Sequence, residues 1–300
     1  MQNTMERLEQ VICGEQGALV LQTLFCLSTG EPMDDYCRAV LPVLAELGVG
    51  RQTVSGFELD EFGYKCADAA REYIFWTDRG RRLHFEDSLP ELALSNFENK
   101  RVLEIGPGWG CSLLRLQQVT PHVRGREIEE VYVRFASIFA KLEGVQPPTI
   151  DVGGGEELPY AENSFDWVLM WSAMQYMDVK AVVREAARVL APGGRLIATQ
   201  PLLLRLVGEF PRALRHPREL VHKSVTLVNS LSYGWFGRRL FGNVAGKSTI
   251  RPVFLTRRQI ISIVEEAGLL VQRTISREQG ADIVLVAEKP FRHVSQCGVT

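Results

Sequence analysis

The hydrophobic pattern of this chain changes period near residue 100. Before that point apolar residues recur at helical spacing. Leu8, Val11 and Ile12 mark one helix, and Leu41, Leu44, Ala45 and Leu47 around Pro42 mark another, stopped by Gly48 and Gly50. Ala67 to Trp76 is a third helix, with Tyr73, Phe75 and Trp76 near its end, and Val54 to Phe62 is a short hairpin or an extended piece. From Lys100 short apolar runs alternate with amphipathic ones. The runs predict strands at Val102–Ile105, Val123–Ile128, Ile150–Val152, Phe165–Met170 and Arg195–Thr199, and helices at Ser112–Val119, Val131–Glu143 and Val179–Leu190. Pro192-Gly193-Gly194 ends the last of these helices. Strand and helix in alternation imply a parallel, doubly wound sheet, whose ligands sit beyond the carboxyl ends of the strands. Residues 201–251 break the rhythm and read as an insertion. A helix at Thr256–Ala267, closed by Gly268, follows it, and Leu269–Thr274 and Ile283–Glu288 read as an antiparallel pair at a sheet edge. The expected organisation is therefore a mainly helical region over 1–98, an α/β domain over 99–292 with its insertion, and a tail over 293–300.

The most informative stretch is Val102-Leu103-Glu104-Ile105-Gly106-Pro107-Gly108-Trp109-Gly110, with Cys111-Ser112-Leu113-Leu114 behind it. A strand that turns into a helix over glycines lets a ligand lie against bare backbone and face the free amides of the helix start. Glu104, just before the turn, favours a cationic ligand over a pyrophosphate. A tight turn that binds nothing is the competing reading. The spacing also departs from the Gly-x-Gly-x-x-Gly of nicotinamide-binding folds: Cys111 stands where the third glycine would fall, which counts against an oxidoreductase.

Composition narrows the field. Three hundred residues suffice for one embellished α/β domain or two small domains, and a net charge of −2 gives no general attraction for polyanions. The six cysteines form no Cys-x-x-Cys pair and no histidine lies at metal spacing from them, so no metal is expected and the thiols read as those of a reduced, cytoplasmic protein. Met1 to Gln10 is polar, unlike a signal peptide, and no run approaches the roughly 20 apolar residues of a membrane span. Arg205 interrupts the most apolar piece, Pro201–Val207.

Four blocks, in order, give the chain a family likeness. They are Val102–Gly110; Gly125-Arg126-Glu127-Ile128; Glu157-Leu158-Pro159-Tyr160-Ala161-Glu162-Asn163-Ser164-Phe165-Asp166; and Arg184 through Gly194. Together they resemble the class I S-adenosylmethionine-dependent methyltransferases, most of all their small-molecule and lipid group, over about residues 98–200 and more faintly over 254–290. The resemblance implies a doubly wound, mostly parallel, seven-stranded Rossmann-like sheet and S-adenosylmethionine as cofactor. It implies that Gly106, Gly108 and Gly110 let the methionine part approach the backbone, that Glu104 orients its ammonium, and that Glu127 accepts both ribose hydroxyls. Ile128 and the Leu158 region would contact the adenine faces, while Asp166, Asn163-Ser164 and Arg184–Gly194 would be scaffold. One position departs from the family pattern. Gly154 stands where an aspartate usually accepts from the adenine amino group, so Glu156, backbone groups around Gly155, or Asp151 must read that edge.

By the same likeness the loop Trp171–Tyr176 lies beside the transferred methyl, with Tyr176 near the place where many relatives carry a histidine. The phenol either positions substrate or packs. A general base is needed only if the nucleophile must lose a proton on the path. His84, His216 and His222 are candidates, each with an ordinary polar-face role as the alternative; His122 and His293 read as surface residues. Tyr64, Tyr73, Phe75 and Trp76 could line a lid over the cofactor. The insertion carries nine basic residues against Glu209 and Glu219, +7 in net, so the remainder of the chain carries −9. Large apolar side chains interleave with these charges. The combination fits a small-molecule or amphiphilic acceptor with an anionic group, natural-product intermediates included, or a peripheral membrane contact through 201–251; a helical lid with a solvated basic face is the alternative. No nucleic-acid recognition module is present. A non-catalytic methyltransferase-like partner or membrane-docking protein is the competing function, favoured by Gly154, and a polyamine synthase would need an acid-rich loop that the sequence lacks.

Overall fold

The computed structural model describes residues 2–54, 56–241, 251–277 and 280–291. The tail, His293, Cys297 and Lys247 lie outside the described residues. In chain order the elements are α1 (Gln2–Ile12), α2 (Gly17–Thr29), α3 (Asp35–Glu46), β1 (Gly50–Thr53), β2 (Gly56–Leu59) and α4 (Glu61–Asp78). There follow β3 (Val102–Ile105), α5 (Cys111–Leu116), β4 (Val123–Glu127), α6 (Glu130–Leu142), β5 (Ile150–Val152), β6 (Phe165–Met170) and α7 (Val179–Val189). The chain ends with β7 (Leu190–Pro201), α8 (Leu203–Ala213), α9 (Pro217–Phe236), α10 (Arg257–Glu266), β8 (Leu270–Arg277) and β9 (Asp282–Glu288). The seven long-range strands form one sheet in the order β5-β4-β3-β6-β7-β9-β8. Pairings β3–β6, β4–β5 and β6–β7 are parallel, and β7–β9 and β8–β9 antiparallel, so the expected doubly wound, seven-stranded, mostly parallel α/β sheet with an antiparallel edge is what forms.

By its contacts the chain divides into two compact units, one of residues 1–98 with 107–153, the other of 99–106 with 154–300. In the first, α1 to α4 share a single core with α5 and α6. Asp34 and Asp60 start α3 and α4 by accepting the N–H of Cys37 and Gly63. The Asp34 cap starts α3 at Asp35, six residues before Leu41, the first residue of the expected helix, and the helix runs through Pro42. Trp109 is buried edge-on against Tyr73, Trp76 and Phe139, with ring centroids 5.6, 5.4 and 4.8 Å away. Tyr73 stacks on Phe139 at 4.2 Å and gives its hydroxyl to Glu143. Tyr73 and Trp76 therefore belong to a core rather than to the lining of a lid, because the flat ring of Phe139 and the indole of Trp109 already cover their faces. Tyr64 and Phe75 are exposed. Cys13, Cys26, Cys37, Cys66 and Cys111 are free thiols.

The second unit packs α7 and α10 against β3, β6, β7 and β9. Asp178 caps α7 through the Ala181 N–H, and Thr256 with Gln259 forms a reciprocal capping box on α10. Strand β7 begins at Leu190, not Arg195. Its register jumps from Phe165↔Leu190 to Trp167↔Arg195, and Pro192-Gly193-Gly194 bulges out between, with Gly193 at φ 77°. Within the insertion the described part forms α8 and α9. Among the described residues no single helix is long and apolar enough to cross a membrane.

Trp109 connects the glycine loop to the first unit's core. Trp109→Ala is expected to lower stability by about 3–5 kcal/mol in urea titration, as for other buried tryptophans. A loss below about 1 kcal/mol would show that the aromatic cluster does not support this loop.

Candidate functional site

In the first unit the site is built at the carboxyl ends of β4 and β5. Glu127 closes β4 and is only 6% exposed. Its Oε2 accepts the Gly108 N–H at 2.9 Å and its Oε1 the Glu129 N–H at 2.9 Å. Burial raises the carboxyl above its usual 4.5, against the pull of the amides of Glu129, Gly108 and Ile128. A carboxylate has about four acceptor sites, so capacity for ligand hydroxyls remains. Beside it two apolar side chains are left open, Ile128 at 54% and Val152 at 52%, with Val152 opposite Glu127 in the β4–β5 register. Gly108, at φ 58°, has no atom within 4 Å of where a Cβ would stand. Bare backbone, a buried acceptor and exposed apolar groups suit a ligand with a hydroxyl-bearing ring and a flat apolar face. The β4–α6 turn is fixed from α4, where Lys65 Nζ meets Glu129 Oε2 at 2.7 Å.

In the second unit Glu104 is buried within β3 and Gly106 follows it at φ 71°. A Cβ on Gly106 would stand 2.5 Å from that of Ala173. The loop after β6 holds a strained residue: Ser172 is at φ 48°. Its N–H goes to Thr199 Oγ1 at 2.7 Å and its carbonyl accepts Gln175 Nε2 at 2.6 Å, so both sides of the strained unit are tied down. The Gln175 carbonyl accepts the Val253 N–H at 2.8 Å and Arg239 Nη2 at 3.3 Å, and the same Nη2 donates to the Met177 carbonyl at 2.7 Å. The Arg239 guanidinium lies 5.8 Å from the centre of the Tyr233 ring. Burial lowers its pKa, partly offset by Tyr233, Asp178 and Glu156 at longer range, and no carboxylate among the described residues forms an ion pair with it. Tyr176, next to Gln175, is 46% exposed.

Residues 103–198 match the methyltransferase domain family. The uncharacterized methyltransferase YcgJ of Bacillus subtilis is 32% identical over 133 residues, 42% of this chain and 52% of that protein. The 27-O-demethylrifamycin SV methyltransferase of Amycolatopsis mediterranei is 35% identical over 134 residues, 44% of this chain and 49% of that one. The chain is similar to methyltransferases over that region. It spans about half the length of these relatives. The crystal structure of YcgJ superimposes with a TM-score of 0.46 at 19% identity, covering 67% of this chain and 97% of that one. That of an S-adenosylmethionine-dependent methyltransferase from Methanosarcina mazei gives 0.47 at 18%, covering 66% and 97%.

The structure brings some of the expected residues together. Gly108, Glu127 and Ile128 form one cluster; Trp171 and Tyr176 bracket the strained loop of the other unit. Gly110 and Gly155 serve packing. A Cβ on Gly110 would meet Ile150 and Pro148 at 3.1 and 3.3 Å, and one on Gly155 would stand 2.5 Å from Ile105 Cγ2. Glu156 accepts the Asp178 N–H through Oε1 at 3.0 Å, while its Oε2 stands 2.8 Å from the Cβ position of Gly154. His84 is half-buried in the turn before Leu89, edge-on to Phe85, and His222 and His216 are exposed at α9. Val152, Thr199 and Arg239 were not among the expected residues. Val152 had a signal, an apolar residue at a strand end immediately before the glycine run; Thr199 and Arg239 act through contacts distant in sequence. Among the described residues no cluster of three or more His, Cys, Asp or Glu is arranged for a metal ion.

The three loop glycines differ in what an alanine would meet. Gly106→Ala is expected to lower the melting temperature more than Gly108→Ala: both strain a left-handed backbone by about 1–2 kcal/mol, but only the first collides with Ala173. Equal losses would place both glycines in open space.

Proposed function

We propose that the protein transfers a methyl group from S-adenosylmethionine to a small-molecule acceptor that is amphiphilic, with an apolar body and an anionic group. The observation that carries the reading is the Glu127 carboxylate, buried, tied to the Gly108 amide and flanked by exposed Ile128 and Val152. Those residues fit an adenosyl group: the carboxylate takes the ribose hydroxyls and the two apolar side chains take the base. S-adenosylmethionine, when bound, supplies a methyl group on a sulfonium leaving group. The chain's own work is to hold the acceptor atom in line and to keep water away. Glu104 supplies a buried carboxyl group for the cofactor's cationic part. The loop Trp171–Tyr176, held by Thr199 and Gln175, presents Tyr176 to the acceptor as a positioning hydroxyl. Arg239, lacking a carboxylate partner among the described residues, receives the acceptor's anionic group. His84 and His222 would serve as bases only for an acceptor that must lose a proton on the path.

Glu156 is the acceptor we assign to the place left by Gly154. A Cβ at 154 would stand 2.8 Å from the Glu156 Oε2. Glu156 thus takes over the acceptor role toward the adenine amino group. Two relatives named for small-molecule acceptors, the rifamycin enzyme and the norajmaline N-methyltransferase of Rauvolfia serpentina (31% identical over 101 residues, 33% of this chain and 35% of that one), are in keeping with such an acceptor. The apolar and basic arm of residues 201–251 adds a peripheral membrane contact, which would bring the domain to amphiphilic molecules. Gly154 is also what favours a non-catalytic methyltransferase-like partner. That reading requires that S-adenosylhomocysteine produce no binding heat.

Glu127→Ala is expected to weaken S-adenosylhomocysteine binding about 100-fold by calorimetry, the worth of two hydrogen bonds to a charged group. The affinity of the unaltered protein should fall as pH drops through the raised carboxyl pKa, because the protonated form gives up an acceptor site; the midpoint lies above the ordinary 4.5. Unchanged affinity in the variant removes Glu127 from the ribose. Glu156→Ala should weaken the same ligand about tenfold, and adding Gly154→Asp to it should restore binding. Failure of the pair to compensate returns the adenine edge to backbone groups or Asp151.

A further inference from the structure

Helix α9 is inverted relative to an ordinary surface helix. Its buried face is polar: Thr226, Asn229, Ser230, Ser232 and Tyr233 are all buried. Each has its hydrogen bonds. Asn229 accepts the amides of Leu240 and Phe241 and donates to the Phe241 carbonyl, Ser230 accepts the Phe254 N–H at 2.9 Å, and Ser232 donates to the Arg238 carbonyl at 2.8 Å. The Tyr233 hydroxyl donates to Asp178 at 2.7 Å and accepts the Lys180 N–H at 2.9 Å. The opposite face is apolar and open to solvent. Val221, Val228, Leu231 and Trp235 are spaced seven, three and four residues apart, so they form one stripe along the helix, about 21 Å long at 1.5 Å per residue. Trp235 is 74% and Phe236 71% exposed. A core-facing helix would show the reverse arrangement, so this stripe is left over after the fold has taken what it needs from α9.

The charges around the stripe say what covers it. Lys223 pairs with Glu209, and Arg205 with Asp282. Arg212 and Arg215, just before α9, and Arg238, just after it, are exposed and form no ion pair among the described residues. Over residues 201–241 seven basic residues face two acidic ones, +5 in a chain of net −2. Positive charge thus stands at both ends of an apolar stripe that finishes on a tryptophan and a phenylalanine. A second copy docked by two-fold symmetry would set arginines against arginines. An anionic lipid surface neutralises them and takes the aromatic rings at headgroup depth. We infer that α9 lies flat on an anionic lipid interface, with Trp235 and Phe236 as anchors and Arg212, Arg215 and Arg238 at the headgroups. This rests on the membrane contact proposed above and adds the face, the anchors and the lipid charge.

The test is co-sedimentation of the full chain with vesicles of phosphatidylcholine alone and of equal parts phosphatidylcholine and phosphatidylglycerol. Binding is expected to the mixed vesicles only. It should drop about fivefold for each of Arg212→Gln, Arg215→Gln and Arg238→Gln, and tenfold or more for Trp235→Ser with Phe236→Ser. S-adenosylhomocysteine calorimetry on the same variants should be unchanged, which shows them folded and separates this inference from the transferase reading. No sedimentation with the mixed vesicles, or binding indifferent to the Trp235 and Phe236 changes, overturns it. A dimer of the unaltered protein that the double change dissolves would assign the face to a second copy and overturn it as well.

Discussion

The buried carboxylate of Glu127 is the constraint on which the candidate site depends. An ionised group taken out of water needs hydrogen bonds, and the nearest donors are the backbone amides of Gly108 and Glu129. That requirement draws the glycine loop against the end of β4. The loop can comply because Gly108 adopts a left-handed backbone, and because its neighbour Trp109 is sunk among Tyr73, Trp76 and Phe139. Glu129, in turn, is held by Lys65 of α4. The N-terminal helices are thus part of the scaffold that aims the carboxylate, and the aromatic residues once suited to a lid do their work inside a core.

The second unit uses a different device. There the loop after β6 is held in a conformation that an ordinary residue disfavours, by Thr199 on one side of Ser172 and Gln175 on the other. The same Gln175 links through its carbonyl to Arg239 and Val253, which come from the far side of the insertion. The methyl transfer proposed for the site asks for orientation more than for acid–base chemistry, and a loop fixed at both ends supplies orientation. The insertion contributes to that rigidity through polar contacts, which is why the inward face of α9 is made of Thr, Asn, Ser and Tyr and its apolar residues are left outside.

Much of the fold could be read directly from the chain. The change from helical to alternating period near residue 100, the strands β3 to β6, and the antiparallel final pair follow from spacing and side-chain type. The glycine loop and Glu127 could be read too, because they are short-range signals in a fixed order. Helix α2 was not marked, since a nearly uniform apolar run has no periodic contrast, and the early start of β7 was hidden because Pro-Gly-Gly signals a turn whether it ends a strand or bulges from one.

Residue type and local order were enough to point to a methyltransferase-like α/β domain, to S-adenosylmethionine as its expected cofactor and to Glu127 as the carboxylate expected at the ribose. They could not say which glycine stays open and which is packed under Ala173 or Ile150, where the Glu156 carboxylate stands relative to Gly154, or that Arg239 reaches the loop of Tyr176. Nor could they tell which face of α9 turns inward. Each of these depends on atoms brought together from distant parts of the chain, and on burial, which belongs to the folded molecule and to no residue taken singly.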